Sequence, residues 1–142
     1  MSGNNFYHSI PIQIRFADVD SMNHVNNAKY LTYIESARIN YFREVFNREM
    51  HASPGFILAK ATVDFILPII LHDEIKVVTR CSRIGNKSFD LEYEIVRVNP
   101  SLAQTVAKAL TVLVAYDYET KQTVLIPNEW KKKIEAYEKR VY

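Results

Sequence analysis

Between Phe16 and Tyr30 the chain sets two carboxylates (Asp18, Asp20), one histidine (His24) and three amides (Asn23, Asn26, Asn27) within a few residues of one another. A loop carrying more hydrogen-bonding groups than a turn requires usually has chemistry to do. A carboxylate can serve as general base or as nucleophile. A histidine titrates near neutrality and can orient water or carry a proton. Asn26 and Asn27 stand where a helical pattern begins. Free backbone N–H groups at such a start face whatever lies before the helix, and the helix dipole favours negative charge there. Each residue also has a local reading. Asp20 could bond its own backbone as a turn former, His24 could bond loop backbone, and Asn26 or Asn27 could cap the helix. Asp18 shares the spacing but reads as structural, pairing with Arg15 or holding the loop.

The flanking pattern predicts the elements that must hold this loop. Ile10 to Phe16 alternates (Ile12, Ile14, Phe16) and predicts a first strand. A helix follows from Asn26 or Asn27 to about Phe46. Tyr30, Leu31, Ile34, Ile39, Tyr41, Phe42, Val45 and Phe46 fill a broad arc of it, which predicts a helix buried against a sheet that curls around it. Glu35 and Arg38 fall inside that arc, so each is expected to be paired. From Pro54 the period becomes two. Strands are predicted over Phe56–Leu67, Asp73–Arg83, Phe89–Val98 and Leu102–Tyr116, with turns at Gly85-Asn86 and Asn99-Pro100-Ser101. The small residues Ala103, Thr105, Ala107, Ala109, Thr111 and Ala115 on one face of the last strand would let a helix or second sheet approach closely. After Pro127, Trp130, Ile134, Tyr137 and Val141 recur at helical spacing beside Lys131-Lys132-Lys133, a solvated face or, more sharply, a dock for an acidic carrier protein. The order is that of an α+β chain.

Composition narrows the function. At 142 residues the chain is expected to form one domain, residues 1–142, with one core. Net charge is +2, so no dominant nucleic-acid footprint is expected, though a local phosphate patch is compatible. Three glycines provide no phosphate-binding glycine loop. The absence of CxxC and HExxH argues against a zinc site, so no metal ligands are assigned. The single Cys81 forms no internal disulfide, reads as a small core residue and suits a reducing compartment. Met1 to Tyr7 lacks the marks of a signal peptide and no apolar run reaches the length of a membrane span. The chain therefore reads as cytoplasmic.

The pattern D-x-x-x-H-V-N-N-x-x-Y from Asp20 to Tyr30 resembles the active-site segment of hotdog-fold thioesterases, both the 4-hydroxybenzoyl-CoA thioesterase branch and the acyl-ACP thioesterases. The resemblance implies the hotdog fold, an antiparallel sheet wrapped around a long central helix, and extends more weakly to Asn86-Lys87-Ser88-Phe89 and Leu125-Ile126-Pro127. It implies an acyl-CoA thioesterase that releases a free acid and CoA, with no metal or redox cofactor. An acyl-ACP thioesterase is the rival enzyme, and a non-catalytic acyl-CoA binding module the rival of another class.

The same resemblance assigns roles. Asp20 matches the second aspartate of an F-x-D-x-D motif, the catalytic carboxylate of the 4-hydroxybenzoyl-CoA branch. The acyl-ACP branch groups Asp, Asn and His in D-x-N-x-H-V-N-N; this chain keeps Asp20 and His24 but has Met22 at the asparagine position, with Asn23 one later. The backbone N–H at the position of Asn27 would polarise the thioester oxygen. Tyr30 would line an acyl tunnel. Glu35 pairs with Arg38 or faces the acyl pocket or a subunit interface, and is the second candidate for the catalytic carboxylate. Asp64 is a third carboxylate that could face the site. Lys87 and Ser88 would help hold the CoA nucleotide. Family sites form between subunits, which implies a homodimer or homotetramer.

Overall fold

A computed structural model describes residues 5–47, 54–98 and 103–142. The elements are β1 (His8–Ile12), α1 (Asn27–Phe46), β2 (Gly55–Phe65), β3 (Glu74–Ile84), β4 (Ser88–Val98), β5 (Gln104–Asp117), the short β6 (Gln122–Thr123) and α2 (Asn128–Glu138). The strands form one sheet in the order β1-β3-β4-β5-β2, with β6 added at the end of β5, and every pairing is antiparallel. β1 and β2 are successive in sequence yet stand at opposite edges. The helix that joins them must therefore cross the sheet, which is why its apolar arc is broad.

Alternation sorts the sheet into two faces. Ile75, Val77, Thr79 and Cys81 of β3 and Phe89, Leu91, Tyr93 and Ile95 of β4 are all buried, as their period predicts. In β5, Ala107, Thr111 and Ala115 are buried with Leu113, so the small-residue face is the one that admits the core. From α1, Tyr30, Ile34, Tyr41, Phe42, Val45 and Phe46 enter that core together with Tyr33 and Ala37. Leu31 and Ile39 do not: they are 46% and 37% exposed, on the flank of the helix beyond the sheet. The aromatic density lies at the C-terminal end of α1, where Phe42 stacks on Phe56 at 4.4 Å and Phe56 meets Trp130 at 4.4 Å.

Several boundaries differ from the sequence pattern. The first strand spans His8–Ile12 rather than residues 10–16, because pairing with β3 ends at Ile12↔Ile75 and the chain then turns through a short 3₁₀ segment, Phe16–Asp18. Phe16 is 82% exposed as a result. β2 stops at Phe65; the N–H groups of Ile66 and Leu67 both turn to the carbonyl of Val106. Val141 is exposed beyond α2, and the buried residue on that flank is Glu138, whose carboxylate accepts the Tyr41 hydroxyl at 2.6 Å and the Cys81 N–H at 2.9 Å. The turn expected at Asn99–Ser101 lies outside the described residues. Among the described residues no helix is long and apolar enough to cross a membrane.

Candidate active site

The polar loop is a small closed structure. Val19 and Val25 form an antiparallel bridge, and the Asp20 N–H donates to the His24 carbonyl at 2.8 Å. The Asn23 N–H returns to the Asp20 carbonyl at 3.0 Å, and Asn23 itself takes a positive φ of 62°, a conformation asparagine tolerates better than most residues. That is the role the structure gives Asn23: it closes the turn.

Asp20 is exposed, and one carboxylate oxygen is fixed. Its Oδ1 accepts the N–H of Met22 at 2.9 Å and that of His24 at 3.2 Å. Its Oδ2 has no hydrogen-bond partner among the described residues. The local reading of a turn-forming aspartate is therefore realised, and it leaves the second oxygen free. The His24 ring is half-buried and likewise makes no hydrogen bond among the described residues.

The helix start separates the two asparagines. Asn26 is the cap: its side-chain oxygen accepts the Ala28 N–H at 2.9 Å, and its carbonyl accepts the Lys29 N–H at 2.8 Å. The Asn27 N–H is left without an acceptor among the described residues. One open donor thus remains in the first turn, at the positive end of the helix dipole.

Sequence reasoning had Asp18 pairing with Arg15 to hold this loop, as it does, but missed the other supports, Tyr33 and the Pro68–Asp73 segment. Asp18 is buried; its Oδ2 accepts the Tyr33 hydroxyl at 2.7 Å and the Arg15 N–H at 3.0 Å, and its Oδ1 accepts the Arg15 guanidinium at 3.3 Å. Burial pushes the Asp18 carboxyl up, but the bonds from Arg15 and Tyr33 outweigh it and hold it below the ordinary aspartate value. Burial and then the Asp18 carboxylate raise the Tyr33 hydroxyl. On the other side, Val25 N–H donates to Ile69 O at 2.8 Å and His24 bridges Ile70. That segment is held by Asp73, which accepts the Ile70 N–H at 2.9 Å and Arg97 Nε at 3.1 Å, while Arg97 also donates to the Pro68 carbonyl. Asp18 and Tyr33 are 15 residues apart and Asp73 and Arg97 are 24 apart, so no local pattern announces either pair.

The remaining candidates divide by position. Tyr30 is buried edge-on to Phe65, with ring centres 4.9 Å apart, just inside the helix start. Glu35 is exposed and stands 3.8 Å from Arg38, whose side chain is 12% exposed. Both line a groove of about 190 Å³ with Leu31, Thr32, Leu58, Ala61 and Thr111. Asp64 is in register with Lys108 on the sheet face turned away from α1, since its neighbour Phe65 points to Tyr30. Lys87 and Ser88 sit at the turn between β3 and β4, where Ser88 Oγ accepts from Arg83. From Ser88 to Arg97, which holds the Pro68–Asp73 segment, β4 runs about 30 Å at the usual rise per residue. Within one chain, then, Asp64, Lys87 and Ser88 are not brought to the loop. The Cys81 thiol is buried and pushed up to about 12, as suits a core residue rather than a nucleophile.

Curated and solved proteins similar to this chain include thioesterases. The long-chain acyl-CoA thioesterase FadM of Escherichia coli is 26% identical over 126 residues, covering 87% of this chain and 94% of FadM. A Thermus thermophilus thioesterase, solved in complex with coenzyme A and Zn, is 31% identical with a TM-score of 0.87, covering 98% of this chain and 99% of that one. A 4-hydroxybenzoyl-CoA thioesterase solved with 4-hydroxybenzoyl-CoA superposes with a TM-score of 0.80 at 17% identity, covering 89% and 96%, and so speaks to the fold alone. The sheet and its crossing helix are the hotdog fold. The family model for the thioesterase-like superfamily matches residues 14–134, from just after β1 to the middle of α2, and the chain belongs to that family.

Proposed function

We propose that Asp20, the Asn27 N–H and His24 form the catalytic centre of this chain. The reaction is hydrolysis of an acyl-CoA thioester, in which water supplies the new oxygen and coenzyme A leaves as the thiol. The observation that carries the site is an open carboxylate oxygen on Asp20, in the loop closed by the Val19–Val25 bridge, beside the helix start that follows, where the Asn27 N–H is open. Attack on the carbonyl carbon places negative charge on its oxygen, and a preorganised N–H at a helix start receives it, an effect worth about 3 kcal/mol per donor in comparable sites. Asp20 attacks directly or removes the proton of the attacking water. His24 orients that water or returns a proton to the departing sulfur. The acyl group follows α1 into the groove lined by Leu31, Leu58 and Ala61.

A second copy completes the site. Lys87 and Ser88 stand at the far end of β4, about 30 Å along that strand from Arg97 and the segment packed against the loop, so within one chain they lie away from a thioester at Asn27. The edge strand β2 is open, and Leu31, Ile39, Leu58 and Phe65 are exposed beside it. Pairing two β2 edges about a two-fold axis covers that surface and brings one chain's β3–β4 turn toward the other's loop. A homodimer, or a homotetramer built from two such dimers, follows, and the unpaired Cys81 fits a cytoplasmic setting.

The test is thiol release from acetyl-, hexanoyl-, decanoyl-, palmitoyl- and benzoyl-CoA and from the matching acyl-ACPs, with sedimentation of the same preparation. Hydrolysis of acyl-CoA by a dimer or tetramer is expected. Turnover confined to acyl-ACP moves the substrate to the carrier protein. Binding of acyl-CoA without turnover makes the chain a binding module, and a fully active monomer refutes the shared site.

A further inference from the structure

We propose that Tyr33 and Asp18 are a positioning pair that sets the Asp20 carboxylate against the start of α1; the inference rests on Asp20 being the catalytic carboxylate. Neither side chain is free to touch substrate: both are buried, Asp18 at 2% and Tyr33 at 4% exposure. They close a ring of contacts around the site. Tyr33, on α1, donates its hydroxyl to Asp18 Oδ2 at 2.7 Å. The carbonyl of Asp18 accepts the Asn26 N–H at 2.8 Å, and the Asn26 side chain caps α1 through Ala28. The ring therefore leaves the helix at Tyr33, passes through the Asp18 side chain and backbone, and re-enters the helix at its cap.

Asp20 hangs from this ring. Its own side-chain bonds go to Met22 and His24, inside the loop, and none goes to α1. Those bonds fix the shape of the loop but not its setting relative to the Asn27 N–H. The setting comes from the Val19–Val25 bridge and from Asp18, two residues before Asp20. A turn needs no buried charge to hold it, and an ionised carboxylate in the interior is costly unless every oxygen is satisfied. Here three donors, two from Arg15 and one from Tyr33, satisfy it. Charged bonds are shorter and stiffer than neutral ones, and a displacement of about 1 Å between reacting groups costs on the order of 100-fold in rate.

Tyr33→Phe keeps the aromatic side chain and removes only the hydroxyl, which opens the ring of contacts. With the fastest-hydrolysed member of the acyl-CoA panel, kcat is expected to fall about 10- to 100-fold while KM stays within about twofold, because no substrate contact is lost. In an Asp20→Asn background the same change should have no further effect on the residual rate, since the pair acts through Asp20. A buried residue with a merely structural role would lower the melting temperature, leave kcat intact well below it, and behave independently of Asp20. If Tyr33→Phe fails to fold, Asp18→Asn carries the test by removing the charge on which the positioning depends: the Tyr33 hydroxyl bond becomes a neutral one and the new NH₂ faces the Arg15 guanidinium. A folded Tyr33→Phe or Asp18→Asn enzyme with near wild-type kcat, beside an inactive Asp20→Asn enzyme, overturns the pair and leaves the catalytic reading standing. An active Asp20→Asn enzyme overturns the catalytic reading, and the pair with it.

Discussion

The proposed site gives Asp20 two jobs, and two substitutions separate them. Its Oδ1 holds the loop through the N–H groups of Met22 and His24; its Oδ2 is the oxygen available for chemistry. Asp20→Ala loses both. A hydrogen bond contributes about 0.5–1.5 kcal/mol net, and these exposed N–H groups regain water, so the pair is worth about 1 kcal/mol. For 142 residues, an unfolding entropy of roughly 2.1 cal/mol/K per residue converts that into a melting temperature lower by about 3 °C. Asp20→Asn keeps one oxygen for both N–H groups and should melt within about 1 °C of wild type. Both should lose about 100-fold or more in kcat, about 2.7 kcal/mol in the barrier, because neither side chain can attack or remove a proton. The assay is thiol release from the best acyl-CoA, paired with thermal melts of the same samples. An Asp20→Asn enzyme with unchanged melting and at least a third of wild-type kcat would reduce Asp20 to a turn former. Glu35, exposed on α1 beside the groove, would then inherit the role.

The helix start gives the next expectation. Asn26→Ala should cost about 1 kcal/mol of stability, because Asn26 and not Asn27 supplies the cap, whereas Asn27→Ala should change neither stability nor turnover by much, its contribution being backbone. Thermal melts and kcat decide this, and an Asn27→Ala enzyme that is folded but inactive would place the chemistry on the side-chain amide. Glu138 predicts a pH effect. Burial raises its carboxyl above the ordinary glutamate value, so the folded chain holds that proton more tightly than the unfolded chain. The stability it contributes is present at acid pH and is lost as pH rises through the raised value. The melting temperature of Glu138→Gln minus that of wild type should therefore grow as pH is raised from the ordinary carboxylate range toward neutrality; a difference that is flat or shrinks refutes the assignment. The buried Cys81, pushed up to about 12, should resist alkylation in the native protein at about pH 8 and react on unfolding.

Where the candidate residues gather was legible because polar residues in a short loop stand out against their flanks. Asp20, His24 and the two asparagines at the helix start all fall at one junction, and the alternation of β3 and β4 placed their inner faces residue by residue. What the sequence hid was of three kinds. Alternation continues through Ile14 and Phe16 after the ladder has ended, because side-chain pattern does not report where a partner strand stops. Strand length carries Lys87 and Ser88 to the far end of the sheet, a distance invisible in a motif. Pairings made by folding alone, Asp18 with Tyr33, Asp73 with Arg97 and Glu138 with Tyr41, join residues whose neighbours give no hint of them.

The two ends of α1 divide the labour of the molecule. Phe42, Phe46, Phe56, Phe89 and Trp130 interlock at its C-terminal end with ring centres as close as 4.4 Å, and losing one such side chain costs about 3–5 kcal/mol. At the N-terminal end the loop from Asp20 to Asn23 is exposed and held by hydrogen bonds worth about 1 kcal/mol each. A helix is rigid along its axis, so the aromatic end can fix the direction of the first-turn N–H groups without placing any bulk beside them. The loop is then free to keep a carboxylate oxygen unpaired. Asp18 and Tyr33 stand at the boundary between the two regimes, buried like the core and hydrogen-bonded like the loop. Damage to the aromatic end should therefore appear first as lost stability and damage at the boundary first as lost turnover.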